Sequence, residues 1–194
     1  MQNLSVCRLD LPEIREAYRL LVRNTFPDDE RKPLSMIERA VARGRYRCFG
    51  AKTDGELAGC AFFAILPGES GTDALLDYLS VREDLRGQGI GGQFLAGLME
   101  TEFPAFRTAL LEVNDPDFAE GEEKQLRERR LAFYQRCGFL QTAVRANVFH
   151  VDYRILRYPL PNGGEPSTVY LSLYQDMLPP ALFGKFVSVR SGQA

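Results

Sequence analysis

The chain has 194 residues, of which 45% are hydrophobic and 26% charged, and a formal net charge of −2. That composition suits one globular domain with a sizeable core, and the near-neutral balance gives no electrostatic case for nucleic acid or an anionic membrane as partner. No run approaches the ~18 apolar residues of a membrane span, and the opening "MQNLSVCRLDLPEIREAYRLL" lacks the basic and apolar regions of a secretory leader.

The cysteines Cys7, Cys48, Cys60 and Cys137 are scattered without C-x-x-C spacing, and His150 is the single histidine. No zinc site is readable, so no metal is expected, and core thiols in a reduced, cytoplasmic protein are. A nucleophilic Cys137 stays open, although no histidine lies near it in sequence.

In chain order, "LSVCRL" alternates as a short strand does. Leu11 to Arg23 places Ile14, Ala17, Leu20 and Leu21 on one helical face, with Pro12 at its start. "NTFPDDERKPLS" is a polar, proline-bounded loop, and a second helix is expected from Leu34 to Arg43, stopping at Gly44. The period then changes to two: "RYRCFGAKT" and "ELAGCAFFAIL" flank Asp54-Gly55 as a β-hairpin. "TDALLDYLSV" is a further strand, "GIGGQFLAGLMETEF" a helix and "TALLEV" an apolar strand. "GEEKQLRERRLAFYQRC" reads as a charged helix with Leu126, Leu131 and Phe133 or Tyr134 on its apolar face, ending at Gly138. "FLQTAVRANVF" and "STVYLSLY" read as late strands separated by a turn at "PNGG". Strands and helices mixed in this order imply an α+β or mixed α/β fold around one sheet.

The densest signal is "LDYLSVREDLRGQGIGGQFLAGLME". Glycines at the mouth of a helix suit bound phosphate, because exposed N–H groups and the helix dipole both favour an anion there. A Walker A loop needs lysine after its last glycine, and Gln93 follows Gly92. Gly87 to Gly92 does satisfy G-x-G-x-x-G, with Glu112 about twenty residues further on, as in a dinucleotide fold. However, "REDLR" separates strand from glycines, hairpin strands come first, and the regular strand–helix alternation downstream is missing. A purely structural glycine turn is the other alternative.

Arg86, Gly89 and Gly91 form R-x-x-G-x-G, which resembles the acyl-CoA-binding signature of the GNAT superfamily of N-acetyltransferases. A second segment, "RRLAFYQRCGF", resembles that family's later motif, with Tyr134 followed by Gly138 and Phe139. The resemblance covers roughly Leu4 to Leu173, with its specific motifs between Asp77 and Phe139. It implies a single acyl-CoA N-acyltransferase domain over 1–194, with a charged insertion at about 115–126. The implied sheet is twisted, mostly antiparallel, of about six to seven strands, splayed between the fourth and fifth.

The resemblance further implies acetyl-CoA as cosubstrate. Its contacts would be the backbone of Leu79, Ser80 and Val81, the loop residues Arg86, Gly87, Gln88, Gly89, Gly91 and Gly92, and Asn114. Arg127 and Arg130 stand where many relatives carry Asn and Ala; they could meet a phosphate or form a solvated face balanced by Glu120, Glu122, Glu123 and Glu128. The implied reaction is acetyl transfer to the amine of a small molecule or peptide by direct attack in a ternary complex. Tyr134 would protonate the leaving thiolate, and Asp77 would accept the amine's proton, with Glu30 as rival. Phe26, Asp29 and Glu30 would border the acceptor, and the acid-rich loop points to a cationic one. Tyr153 and Tyr158 either line the same pocket or are surface aromatics. A GNAT-fold module that holds acyl-CoA without turnover stays open, as does homodimer formation.

Overall fold

The computed structural model describes residues 4–191; Met1–Asn3, the first residues of the stretch read for a leader, lie outside them. Two compact units are present, one running to Ile65 and including Leu76–Ala105, the other made of Leu66–Leu75 and the chain from Phe106 onward.

The first unit opens with β1 (Leu4–Arg8) and α1 (Leu11–Ala17). Asp10 and Glu13 form a reciprocal capping box, each carboxylate accepting from the other's backbone N–H at 2.9 and 3.0 Å, which fixes the helix start. The helix then widens into a π turn, Tyr18–Val22, before finishing as α2 (Arg23–Thr25). Ile14, Ala17, Tyr18, Leu21 and Val22 are buried, whereas Leu20, expected on the same face, is exposed. The π turn shifts the helical phase at that position, which a constant 3.6-residue period does not anticipate.

A 3₁₀ turn, Asp28–Glu30, precedes α3 (Leu34–Ala42), which ends at Gly44 with φ of 67°. Then come β2 (Tyr46–Thr53), β3 (Glu56–Gly68) and β4 (Gly71–Val81), whose later part belongs to this unit, and α4 (Ile90–Thr101). Asp54 and Gly55 both take positive φ, 51° and 85°, as a two-residue hairpin turn requires. Strand order here is β1-β2-β3-β4. β3 is buried without a break from Ala58 to Ile65, so both its faces are covered. Gly59 is needed there: a Cβ on it would sit 2.9 Å from the Ser80 carbonyl oxygen.

The second unit holds the tips of β3 and β4, then β5 (Phe106–Asn114), α5 (Gly121–Arg136), β6 (Leu140–Val148), β7 (Val151–Tyr158), α6 (Pro166–Met177), α7 (Pro180–Phe186) and β8 (Val187–Ser191). Its later strands run in the order β5-β7-β6-β8, antiparallel throughout. Arg107 on β5 pairs with the buried Asp73 of β4 through its Nε at 2.9 Å. On α5 only Tyr134 is buried, and Leu126, expected on the apolar face, is exposed.

The architecture is the expected mixed α/β class, with eight strands among the described residues. Two local readings need correction. "STVYLSLY" is not a strand but most of α6. Glu165 caps it by accepting from the Thr168 N–H at 2.8 Å, Pro166 opens it, and the buried residues Val169, Tyr170, Leu173 and Tyr174 recur at helical spacing. Two strands are additional to the sequence reading: β7, which pairs with both β5 and β6, and β8, which pairs with β6 from Val148↔Val187 to Val144↔Ser191.

Gly59→Ala is expected to destabilise the protein by about 1–3 kcal/mol, because the obstacle is backbone that cannot rotate away. Urea denaturation checks this; an unchanged midpoint would show that β3 and β4 can separate at no cost.

Candidate functional site: the β4–α4 junction

The end of β4 runs through Arg82 into a 3₁₀ turn, Glu83–Leu85, then Arg86 and the glycines. Leu85 and Ile90 bury themselves with Ala58, Leu4 and Val81, which anchors both ends of the loop. Gly87 and Gly89 adopt φ of 76° and 82°, a region that L side chains enter at a cost. Gly89 is the N-cap of α4 and supplies no side-chain cap, and the first turn carries no acid. The leading N–H groups of α4 are therefore left without an internal anion, with a full helix of aligned peptide dipoles behind them. Gly91 lies inside α4 in ordinary helical conformation, so it contributes room rather than backbone freedom. This loop–helix start can take an anionic group.

Arg86 stitches the loop together. Its Nε donates to the Val81 carbonyl at 3.1 Å and its Nη2 to Thr25 Oγ1 at 3.0 Å. Thr25 in turn shares a 2.6 Å hydrogen bond with the hydroxyl of the buried Ser80. Gln88 donates to the Asp84 carbonyl at 2.9 Å. The end of α2, the end of β4 and the glycine loop are thereby one hydrogen-bonded piece. Leu79, Ser80, Val81, Arg86, Gly87, Gln88, Gly89, Gly91 and Gly92 all belong to this junction.

Asp77 stands four residues before Val81, and its side chain is only 2% exposed. Lys32 Nζ donates to Oδ1 at 2.6 Å, and Tyr46 donates its hydroxyl to Oδ2. Burial pushes the Asp77 carboxyl up, and the Lys32 ammonium opposes that shift. The neighbouring Tyr78 holds the loop from the same strand: its hydroxyl accepts from the Lys32 N–H at 2.7 Å and donates to the Glu30 carbonyl at 3.2 Å. Phe26 packs edge-on against the Tyr78 ring at 5.0 Å. The Tyr18 hydroxyl donates to the Lys32 carbonyl at 2.7 Å. Phe26 and Glu30 are thus drawn to β4, while Asp29 stays exposed and Asp28 is paired with Arg31.

The remaining site residues lie in the second unit. Tyr134 is buried between Phe133 and Phe139, ring centroids 5.1 and 6.0 Å away, and its hydroxyl makes no hydrogen bond with any described residue. Burial pushes its phenol up to about 12. The Asn114 side-chain oxygen accepts from Arg130 at 2.8 Å, and Arg127 donates to the Asp115 carbonyl at 3.0 Å while pairing with Glu123. These arginines tie α5 to the end of β5 and are neither wholly solvated nor free for a phosphate. Tyr153 is buried, and Tyr158 packs its ring on Phe139 at 5.6 Å, so neither is a bare surface aromatic. Burial pushes the Cys60 thiol up to about 12 and raises Cys137 as well, which disfavours a thiolate nucleophile at either position. Among the described residues no group of His, Cys, Asp or Glu is arranged to hold a metal ion, and no helix is long and apolar enough to cross a membrane.

The sequence reading missed Lys32, Tyr46, Tyr78 and Thr25. Only Tyr78 carried a local signal, as the neighbour of Asp77; the others reach the junction from distant parts of the chain. Lys32→Met should strip Asp77 of its cation and leave a charge buried, costing about 3–5 kcal/mol. Denaturant unfolding reads this directly. Pairing it with Asp77→Leu should recover much of the loss, since an apolar pair leaves no charge to desolvate.

Comparison with known proteins agrees with this geometry. Residues 44–141 match the family described as acetyltransferase (GNAT) domain. YjbC of Bacillus subtilis, named as an acetyltransferase, is 44% identical over 64 residues, which are 33% of this chain and only 29% of that protein. A GNAT family acetyltransferase from Elizabethkingia anophelis, solved with acetyl-CoA bound, superposes with a TM-score of 0.59 at 19% identity, covering 82% of this chain and all of that one (100%). Arabidopsis thaliana Naa50, solved with the bisubstrate analogue CoA-Ac-MVNAL, gives 0.63 at 18% identity, covering 81% and 99%. These structures share the fold, and the family match takes in β2 to α5 with the glycine loop and the tyrosine motif: the chain belongs to the GNAT acetyltransferase family.

Proposed function

We propose that the protein transfers the acetyl group of acetyl-CoA to a primary amine of a small molecule or peptide. The observation that carries this reading is the uncapped start of α4 behind Gly87 and Gly89, held in place by Arg86. An anion-ready helix start of this kind suits the pyrophosphate of coenzyme A. Structural neighbours solved with acetyl-CoA and with a CoA–peptide analogue support the choice of cosubstrate and an amine acceptor.

In this reading Arg86 orders the loop through Val81 and Thr25, and its remaining N–H donors, on an exposed guanidinium, are left for phosphate oxygens. Backbone groups of Leu79 to Val81 hold the pantetheine arm, and an N–H from this stretch stabilises the oxyanion as the amine attacks the thioester carbon. The C–S bond then breaks, and the thiolate takes the proton of Tyr134. A phenol pushed up to about 12 keeps that proton through the whole neutral and mildly alkaline range. Asp77 receives the amine's proton through water. Burial makes it a stronger proton acceptor than an exposed aspartate, and the Lys32 ammonium opposes that rise by favouring the carboxylate.

Calorimetry tests the first part. Coenzyme A should bind and nicotinamide dinucleotides should bind much more weakly, and Gly89→Val should abolish CoA binding, since a β-branched residue resists φ of 82° and fills the anion's place. Tight dinucleotide binding without CoA binding would reverse the assignment.

Steady-state thiol release tests the chemistry. Tyr134→Phe should lower kcat by about 10²–10⁴ with CoA affinity retained, and the defect should shrink as pH rises, because a thiol of pKa ~8.5 leaves without help once ionisation is favoured. The stability sign follows from the same shift. Tyr134 is fully stabilising below its unfolded value of ~10, and that contribution is lost as pH rises towards about 12, so Tyr134→Phe should blunt alkaline unfolding in that window. Asp77→Asn should flatten the acidic limb of kcat/KM; an unchanged limb would leave Asp77 with a positioning role only.

A further inference from the structure

A cavity of about 900 Å³ opens between the outer face of α1–α2 and the segment that leads into α3. Its wall carries the guanidinium groups of Arg15, Arg19, Arg23 and Arg31 against the carboxylates of Glu16 and Asp28. Arg15 is countered by Glu38 at 2.6 Å, and Arg31 by Asp28. Arg19 and Arg23 have no acidic partner among the described residues. The Nε of Arg31 is buried and makes no hydrogen bond, while its Nη1 reaches the Arg23 carbonyl at 3.5 Å.

Two uncountered guanidinium groups, those of Arg19 and Arg23, beside one concavity repel each other. That cost falls when an anion occupies the space. Guanidinium forks match carboxylate and phosphate oxygens two at a time, and Arg19 and Arg23 sit about one helical turn apart, with Arg31 on the facing wall. The overall charge of −2 makes this local excess of arginine a feature of the site and not of the composition.

We propose that this cavity binds a small ligand carrying more than one carboxylate or phosphate group, at a place separate from the β4–α4 junction. The segment that walls it, Asp28 to Leu34, is the one that Tyr18 and Tyr78 hold at Lys32. Occupancy is therefore coupled to the loop assigned to the acceptor. The anion site itself does not depend on acetyl transfer.

Isothermal titration of the full chain with citrate and with inorganic pyrophosphate tests it, at low and high salt, with and without saturating coenzyme A. The wild type should bind at least one probe. Arg19→Gln/Arg23→Gln, both at exposed positions and both replacing the cation by a neutral polar group, should weaken binding roughly tenfold or more and reduce its salt dependence. Gly89→Val should leave probe binding unchanged while losing coenzyme A. Preference for citrate identifies a carboxylate ligand, and preference for pyrophosphate a phosphate one. The proposal is overturned if neither probe binds, if the double variant binds as tightly as the wild type, or if coenzyme A displaces the probe, which would place the probe in the cofactor's phosphate site. Loss of all acetyl transfer with probe binding intact would count against the enzymatic reading alone.

Discussion

The ion pair of Lys32 and Asp77, closed by the Tyr46 hydroxyl, is the constraint on which the first unit's site depends. It joins a polar loop, the start of β2 and the last third of β4 in one buried cluster. Placing a carboxylate out of water is costly, and the lysine opposite it offsets that cost only while the loop stays seated. The loop position is thus enforced by electrostatics rather than by apolar burial, which fits a segment rich in charge and flanked by proline. Tyr78 adds directional bonds to the same backbone, so that seating the ammonium also fixes the peptide groups on either side of it.

At the other end of β4 the logic differs. The glycine loop has almost no side chains with which to define itself, and Arg86 supplies the missing order from outside the backbone. Two of its five N–H donors are used in this way, and the exposed remainder of the guanidinium keeps its charge beside the helix start.

The glycine loop and the tyrosine helix were legible in the sequence because each packs its signal into a few consecutive residues: φ-permissive glycines at a helix mouth, and a tyrosine ahead of a helix-ending Gly138. The hairpin at Asp54-Gly55 was legible for the same reason. The cluster around Asp77 was not, since Lys32 lies 45 residues away in the chain and no spacing rule links them. α6 was misread because Thr, Val and Tyr favour strands intrinsically, whereas the cap at Glu165 and the apolar faces it presents to the sheet decide otherwise. Leu20 was misplaced by assuming one helical period across a π turn.

That π turn has a consequence for how the junction is encoded. It holds one more residue per turn than the α-helix around it, so Thr25 owes its bearing to chain length as much as to its own identity. Straightening those residues into an even α-helix, with none removed, would swing everything downstream by most of one residue's ~100° step about the axis. Thr25 would then turn away from Ser80 and Arg86 although none of the three had been altered. The π turn absorbs one residue of the spacing from Asp10 to Thr25, and that spacing sets the angle at which the helix meets the loop only while the turn keeps its wider winding.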